Sequence, residues 1–274
     1  MYEVLKCGDI INEGPIPSQL SHAHETTVAW IKLGETTVKC LKKTGAPHKT
    51  FTPAWEKEVF DPMYANVNYV KEETVYLIGK ALEFPEFPVS VWRPDLGCSL
   101  QVYIEGITLE EKYSRRQGIK KTSHLKSEGA ARIALVDFLV NQKDRSWKNL
   151  YLSGDKILYA IDNEASFEPS HVGLDYVFQL IDSRCVKYWT YHYSDVIQKL
   201  VDRVLENKID ELRDIVRCAL ASHPIPRDYV SFLLGEMDIR IYLLKNYKFN
   251  QAVLAWYSYA LSQVPYKKGY CRSI

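Results

Sequence analysis

No two of the six cysteines (Cys7, Cys40, Cys98, Cys185, Cys218 and Cys271) stand at metal-ligand spacing, which argues against a zinc site. His22 and His24 share one strand face on a period of two, but no further ligands accompany them. No apolar run is long enough to span a bilayer. The opening MYEVLKCGDI has no basic stretch leading into a long apolar one, so a signal peptide is not expected. The formal net charge is only +1, so no global field draws the chain to nucleic acid or a membrane surface. Internal repeats and low-complexity tracts are missing. Ser21, Cys7 and Cys185 have no neighbouring base or oxyanion motif, which argues against acyl transfer. Reduced cysteines in a cytoplasmic protein are the resulting expectation.

What is present suits an α+β protein. The 274 residues are 46% apolar and 25% charged, enough for one large domain or two small lobes around a core. TTVAWIKL (Thr26 to Leu33) and TTVKCL (Thr36 to Leu41) flank Gly34-Glu35 and read as a hairpin. PAWEKEVFDPMYAN (Pro53 to Asn66) reads as a short helix, with Pro53 in its first turn. TVYLI (Thr74 to Ile78) and SLQVYI (Ser99 to Ile104) read as strands. The proline-rich EFPEFPVSVWRPD between them reads as an extended loop or edge. Ser127 is placed to cap a helix running to about Val140. After Phe167, SDVIQKLVDRVLENK, IDELRDIVRCALASH, RDYVSFLLGEMDIRIYLLKN and Asn250 to Leu261 carry apolar residues at helical spacing. The expected architecture is a β-rich lobe over residues 1–104 and a larger helical lobe over 105–274. A linker lies near Glu105-Gly106, and a ligand is expected between the lobes.

The most informative stretch runs from Ala130 to Phe167. A turn near Ser153-Gly154-Asp155-Lys156 pairs Leu150 to Leu152 against Ile157 to Ile161. Asn149 then starts one strand and Asp162 ends the other, so they share one end of the hairpin, and Asp144 lies in the loop feeding it. Two carboxylates and an amide oxygen suit a divalent metal, phosphate and a hydroxyl nucleophile. An isolated Asp-Arg pair such as Asp144-Arg145 is usually a surface ion pair contributing about 0–1 kcal/mol. The joint pattern with Asn149 and Asp162 favours the functional reading.

Asp144-Arg145-Ser146-Trp147-Lys148-Asn149, followed by a strand ending in Asp162, resembles the catalytic and metal-binding segments of the HipA-like and phosphatidylinositol-kinase-like branch of the protein-kinase-like fold. The preceding LVDFLVNQ and the late IPRDYVSFLLGEMDIRIYLLKN are also similar to that branch. The resemblance implies a two-lobed kinase-like fold and transfer of the γ-phosphoryl group of ATP, with Mg²⁺, to a hydroxyl acceptor, a protein Ser or Thr being favoured. It implies metal binding by Asp162 and Asn149, with Asp144 receiving or orienting the acceptor's proton. Lys39 would meet the α/β phosphates, held by Glu58, and Ile104 and Glu105 would border the nucleotide where the chain leaves the small lobe. Lys32 on the partner strand rivals Lys39, and Glu56 rivals Glu58. Arg145 would organise the loop, and Lys148 is expected to be solvated.

The chain departs from the family pattern in three places. No Gly-x-Gly-x-x-Gly precedes Lys39, so phosphate cover falls to Glu13-Gly14-Pro15 through His24 or another backbone segment. Ser146 stands where a His often follows the Asp-Arg pair. Asn163-Glu164 follows Asp162 in place of Phe-Gly. These departures keep open a nucleotide-binding pseudokinase acting as an interaction module, and nucleotidyl transfer with the α-phosphate attacked. The basic run from Lys112 to Lys126 reads as a solvated loop, and the Tyr188, Trp189, Tyr191, Tyr193 cluster as packing.

Overall fold

The computed structural model describes residues 1–16, 25–44, 67–114, 121–167, 183–192, 194–222 and 227–262. It is an α+β protein with a small antiparallel sheet region and a larger helical portion. Helix α1 (Tyr2–Cys7) precedes strands β1 (Asp9–Pro15), β2 (Glu25–Leu33) and β3 (Thr36–Thr44). Helix α2 (Val67–Ala81) comes next, then β4 (Ser90–Arg93) and β5 (Cys98–Val102). These five strands form one antiparallel sheet in the order β1-β2-β3-β5-β4. The β2–β3 hairpin turns on Gly34-Glu35 as expected, with Leu33 opposite Thr36 and Gly34 at φ +58°.

Strand alternation gives this sheet two unlike faces. Ala29, Ile31, Val38, Cys40, Val91 and Leu100 join Val4 and Leu5 of α1 in a small apolar cluster. The opposite face of β3 carries Lys39, Leu41 and Lys43, with Val28, Ser99 and Gln101 beside them in register.

A second sheet is formed by β6 (Gly106–Thr108), β7 (Leu150–Ser153) and β8 (Leu158–Ala160). A Cβ on Gly106 would collide with the Leu152 carbonyl, so only glycine permits this β6–β7 approach. The remaining α-helices are α3 (Leu109–Ser114), α4 (Glu128–Leu139), α5 (Arg184–Tyr191), α6 (Asp195–Asn207), α7 (Ile209–Ala221), α8 (Arg227–Asn246) and α9 (Phe249–Ser262). Ser127 caps α4, its hydroxyl accepting from the Ala130 N–H at 3.2 Å. From Ala130 to Leu139, α4 is buried on nearly every side, as befits the centre of the larger apolar cluster. The amphipathic α6 packs on it through Ile197, Leu200, Val201 and Val204, and α7 joins the same cluster through Leu212, Val216 and Leu220, packing on α2 and α8.

One expected strand is a helix. Thr74 to Ile78 lies inside α2, where the Thr74 hydroxyl donates back to the Val70 carbonyl at 2.7 Å. The helix is buried from Tyr69 through Tyr76, so its sequence shows no one-sided apolar period, and a β-branched run imitated a strand. Although α2 belongs to the first 104 residues, its Tyr69, Val70, Val75 and Ile78 join the larger cluster, and it packs on α7. The expected helix from Pro53 to Asn66, with Glu56 and Glu58, lies outside the described residues. The segment from Glu83 to Asp95 contributes β4, an edge strand, as its prolines suggested.

Candidate phosphoryl-transfer site

The hairpin closes as its sequence predicts. Leu150 pairs with Ala160, and the Ile161 N–H donates to the Asn149 carbonyl at 3.1 Å, bringing Asn149 beside the residue before Asp162. The Asn149 amide group donates to the Asp144 carbonyl at 2.7 Å and to Asp144 Oδ2 at 3.2 Å. With its N–H groups so engaged, Asn149 has Oδ1 to offer a cation. The Asp144 N–H is held at 2.9 Å by Gln142 Oε1, whose amide group in turn donates to Ser166 Oγ at 3.2 Å.

Arg145 sets this geometry. It is fully buried and pairs with Asp137 of α4 at 3.1 Å, not with Asp144. The same guanidinium donates to the carbonyls of Asn149 and Ile161 and to Asn163 Oδ1. Asp137 also accepts from the Ser183 hydroxyl at 2.6 Å, which ties the loop to the start of α5. One planar cation with five donors thus holds both flanks of Asp162. Asn163 is one of its anchors.

Asp162 itself adopts the left-handed conformation, φ 58° and ψ 64°, which Asp tolerates better than most residues. Its Oδ1 accepts from Lys43 Nζ at 3.0 Å, and the same ammonium donates to Glu72 Oε1 of α2 at 2.5 Å. Glu72 is completely buried and takes a second bond from the Ser99 hydroxyl at 3.0 Å. Burial works against the charge on Lys43, but Asp162, Glu72 and Glu164 outweigh it and hold its pKa above the ordinary lysine range. Burial pushes the Glu72 carboxyl up and Lys43 pulls it down, while Asp162 and Glu164 add to the upward push. Lys43 thus bridges two carboxylates, Glu72 of α2 and Asp162 at the end of the hairpin, with the charge of Glu164 adding to the field around it.

The lysine of this pair differs from the one expected, and the glutamate beside it is Glu72, while Glu58 lies outside the described residues. Lys39 was expected, held by Glu58, but Lys43, four residues further along the same strand face, makes the contact, and its partner is Glu72. Lys39 Nζ instead stands 3.9 Å from the centre of the Tyr103 ring. The rival Lys32 sits opposite Thr37, near the far end of the hairpin. Nothing local marks Lys43 within the run Lys42-Lys43; the pairing of Lys43 with Ser99 on β5 selects it. Lys42 points the other way and binds Glu13 at 2.6 Å. Asp137 and Ser99 were also missed, because Ser183 and Glu72, which they meet, lie 46 and 27 residues away in sequence; Gln142 was missed because it acts on the main chain of Asp144.

Ile104 and Glu105 lie in the segment joining β5 to β6. Ile104 lines an apolar groove of about 500 Å³ with Tyr76, Phe84, Phe87 and Tyr159, and Glu105 is exposed. Lys148 is solvated as expected, 67% exposed and 4.0 Å from Glu110. Ser21, His22, His24, Tyr193 and the middle of the basic run lie outside the described residues. Cys7 and Cys185 are free thiols, and burial holds the Cys185 thiol well above the usual range, which makes it a poor nucleophile.

Among the described residues, no group of three or more His, Cys, Asp or Glu side chains is arranged to hold a metal ion alone. Asp162 and Asn149 carry oxygens of the kind Mg²⁺ takes, a carboxylate and an amide, beside the phosphates and water that ordinarily complete its shell. No helix among the described residues is long and apolar enough to cross a membrane. Comparison with known proteins found no matching family model and no matching curated protein.

Proposed function

We propose that this chain is an ATP- and Mg²⁺-dependent kinase that passes the γ-phosphoryl group to a hydroxyl acceptor, with a protein serine or threonine favoured by the HipA-like resemblance. The observation that carries the reading is the Glu72–Lys43–Asp162 chain at 2.5 and 3.0 Å, set beside the Asp144–Asn149 contact. Phosphoryl transfer needs chiefly positioning and charge neutralisation, and this arrangement supplies both.

Lys43 is kept charged by its carboxylate neighbours and meets the α/β phosphates. Glu72 keeps its ammonium in place. Asp162 and Asn149 offer the oxygens for Mg²⁺, which when bound neutralises phosphate charge. Asp144, steadied through its main chain by Gln142 and through its carboxylate by Asn149, orients the acceptor hydroxyl and receives its proton. The new bond joins the acceptor oxygen to γ-phosphorus. The bond that breaks joins γ-phosphorus to the β–γ bridging oxygen, and ADP departs with that electron pair. Ile104 and Glu105 border the nucleotide.

The test is incubation with Mg²⁺ and γ-labelled ATP beside an Asp144→Ala control. Label on protein, or released phosphate, lost in the control supports the reading. Label carried only from α-labelled ATP indicates nucleotidyl transfer. Nucleotide binding with neither product makes the chain a pseudokinase.

A further inference from the structure

Helix α2 buries a second carboxylate next to Glu72, and the proposed chemistry does not use it. Glu73 is 5% exposed. Successive helical residues point about 100° apart, so the two carboxylates leave α2 in different directions. Glu73 Oε1 accepts from the Tyr2 hydroxyl at 2.7 Å and from Lys6 Nζ at 3.0 Å, both on α1. Its Oε2 accepts from the Trp92 N–H at 3.1 Å. Lys6 also donates to the Trp92 carbonyl at 3.2 Å. The Tyr2 ring stacks on Tyr76 of α2, with centroids 5.8 Å apart.

Sheet register links these bonds to the candidate site. Lys43 pairs with Ser99, and Ser99 pairs with Trp92, so the three form one rung across β3, β5 and β4. Glu72 is fastened to Lys43 and Ser99, and Glu73 to Trp92. Adjacent buried carboxylates repel, and each stays buried only while donors satisfy it. Lys6 supplies the positive charge on the Glu73 side.

We propose that α1 is a strap that sets the position of Glu72 at Lys43, acting through Glu73, with Lys6 and Tyr2 as its positioning residues. Without the strap, α2 must turn to hydrate Glu73, and Glu72 withdraws from Lys43. The effect on turnover rests on the phosphotransfer reading; the effect on Lys43 does not.

The test therefore reads Lys43 directly. Lys6→Ala, Tyr2→Phe and Lys6→Arg are treated with a water-soluble amine-reactive ester. Modification of Lys43 is measured by peptide mass spectrometry against the exposed Lys148, with hydrogen exchange followed in α2 and α8. Lys43 reactivity should rise about tenfold in Lys6→Ala, as expected for local opening. It should rise less in Tyr2→Phe and return towards wild type in Lys6→Arg, with faster exchange in α2 but not in α8. Unchanged Lys43 reactivity overturns the proposal, and so does an equal loosening of α2 and α8. If Lys6→Ala does not fold, Tyr2→Phe decides by the same ratio. Where ATP is turned over, kcat should fall as Lys43 reactivity rises. A wild type that never turns over ATP defeats the phosphotransfer reading while leaving the reactivity ratio to judge the strap.

Discussion

Arg145 and Lys43 are both buried cations at the candidate site, and different parts of the chain hold them. Arg145 pairs with Asp137 eight residues away and bonds Asn149, Ile161 and Asn163 within eighteen. Lys43 reaches Glu72 across 29 residues and Asp162 across 119. The loop side is a short-range assembly around a rigid planar fork, whereas the sheet side is a long-range assembly around a point charge. The first therefore depends on local chain geometry, and the second on how α2 and β5 dock against β3.

The sharpest way to break this contrast is Arg145→Ala. It leaves the buried Asp137 without its counter-ion and the Ile161 carbonyl without this donor, and should cost about 3–5 kcal/mol in denaturant unfolding. A loss under about 1 kcal/mol, the scale of a surface pair, would mean that Arg145 does not organise the loop. Lys43→Met should cost a comparable amount, because Glu72 is then buried without a counter-ion. The Lys43→Met/Glu72→Leu double variant should recover most of that stability while losing nucleotide binding. A double variant as unstable as the single one would show that the pair is not the coupled unit described.

Asp162 sharpens the comparison at the point where the two sides meet. Asp162→Ala and Asp162→Gly remove the same carboxylate, but only glycine accepts φ 58° without strain. The glycine variant should be the more stable of the two by about 1 kcal/mol in thermal or denaturant unfolding. Equal stabilities would mean that the left-handed backbone is not enforced. The smallest effect is expected away from the site, at Glu86, where burial pushes the carboxyl above its usual 4.5 although Arg132 opposes it. A carboxyl raised on folding favours the fold fully only below its unfolded pKa, and that contribution is lost as pH rises through the folded value. Glu86→Gln should therefore reduce the decline in stability as pH rises above about 4.5. An unchanged pH profile would contradict this sign.

The same contrast explains what was legible in the sequence. Asp144, Asn149 and Asp162 could be placed because a tight hairpin turns sequence spacing into spatial proximity. Ser127 as a cap and the amphipathic α6 and α7 were legible for similarly local reasons. Lys43 was not, because Lys39 and Lys43 share a strand face and only the Lys43–Ser99 register separates them. Glu72 stands two residues before the Thr74 to Ile78 run that imitated a strand, and a helix buried all round displays no period to reveal it. Asp137 sits among apolar residues of α4, and only its partners Arg145 and Ser183 reveal its role.

The most direct test of the central claim is calorimetric titration of Mg²⁺-ATP into the wild type, Lys39→Met and the Lys43→Met/Glu72→Leu variant. Saturable binding by the wild type, kept within about twofold by Lys39→Met and weakened about tenfold or more in the double variant, is the predicted result. Wild-type affinity in the double variant, or loss confined to Lys39→Met, would contradict the assignment of Lys43 and Glu72 to the nucleotide site.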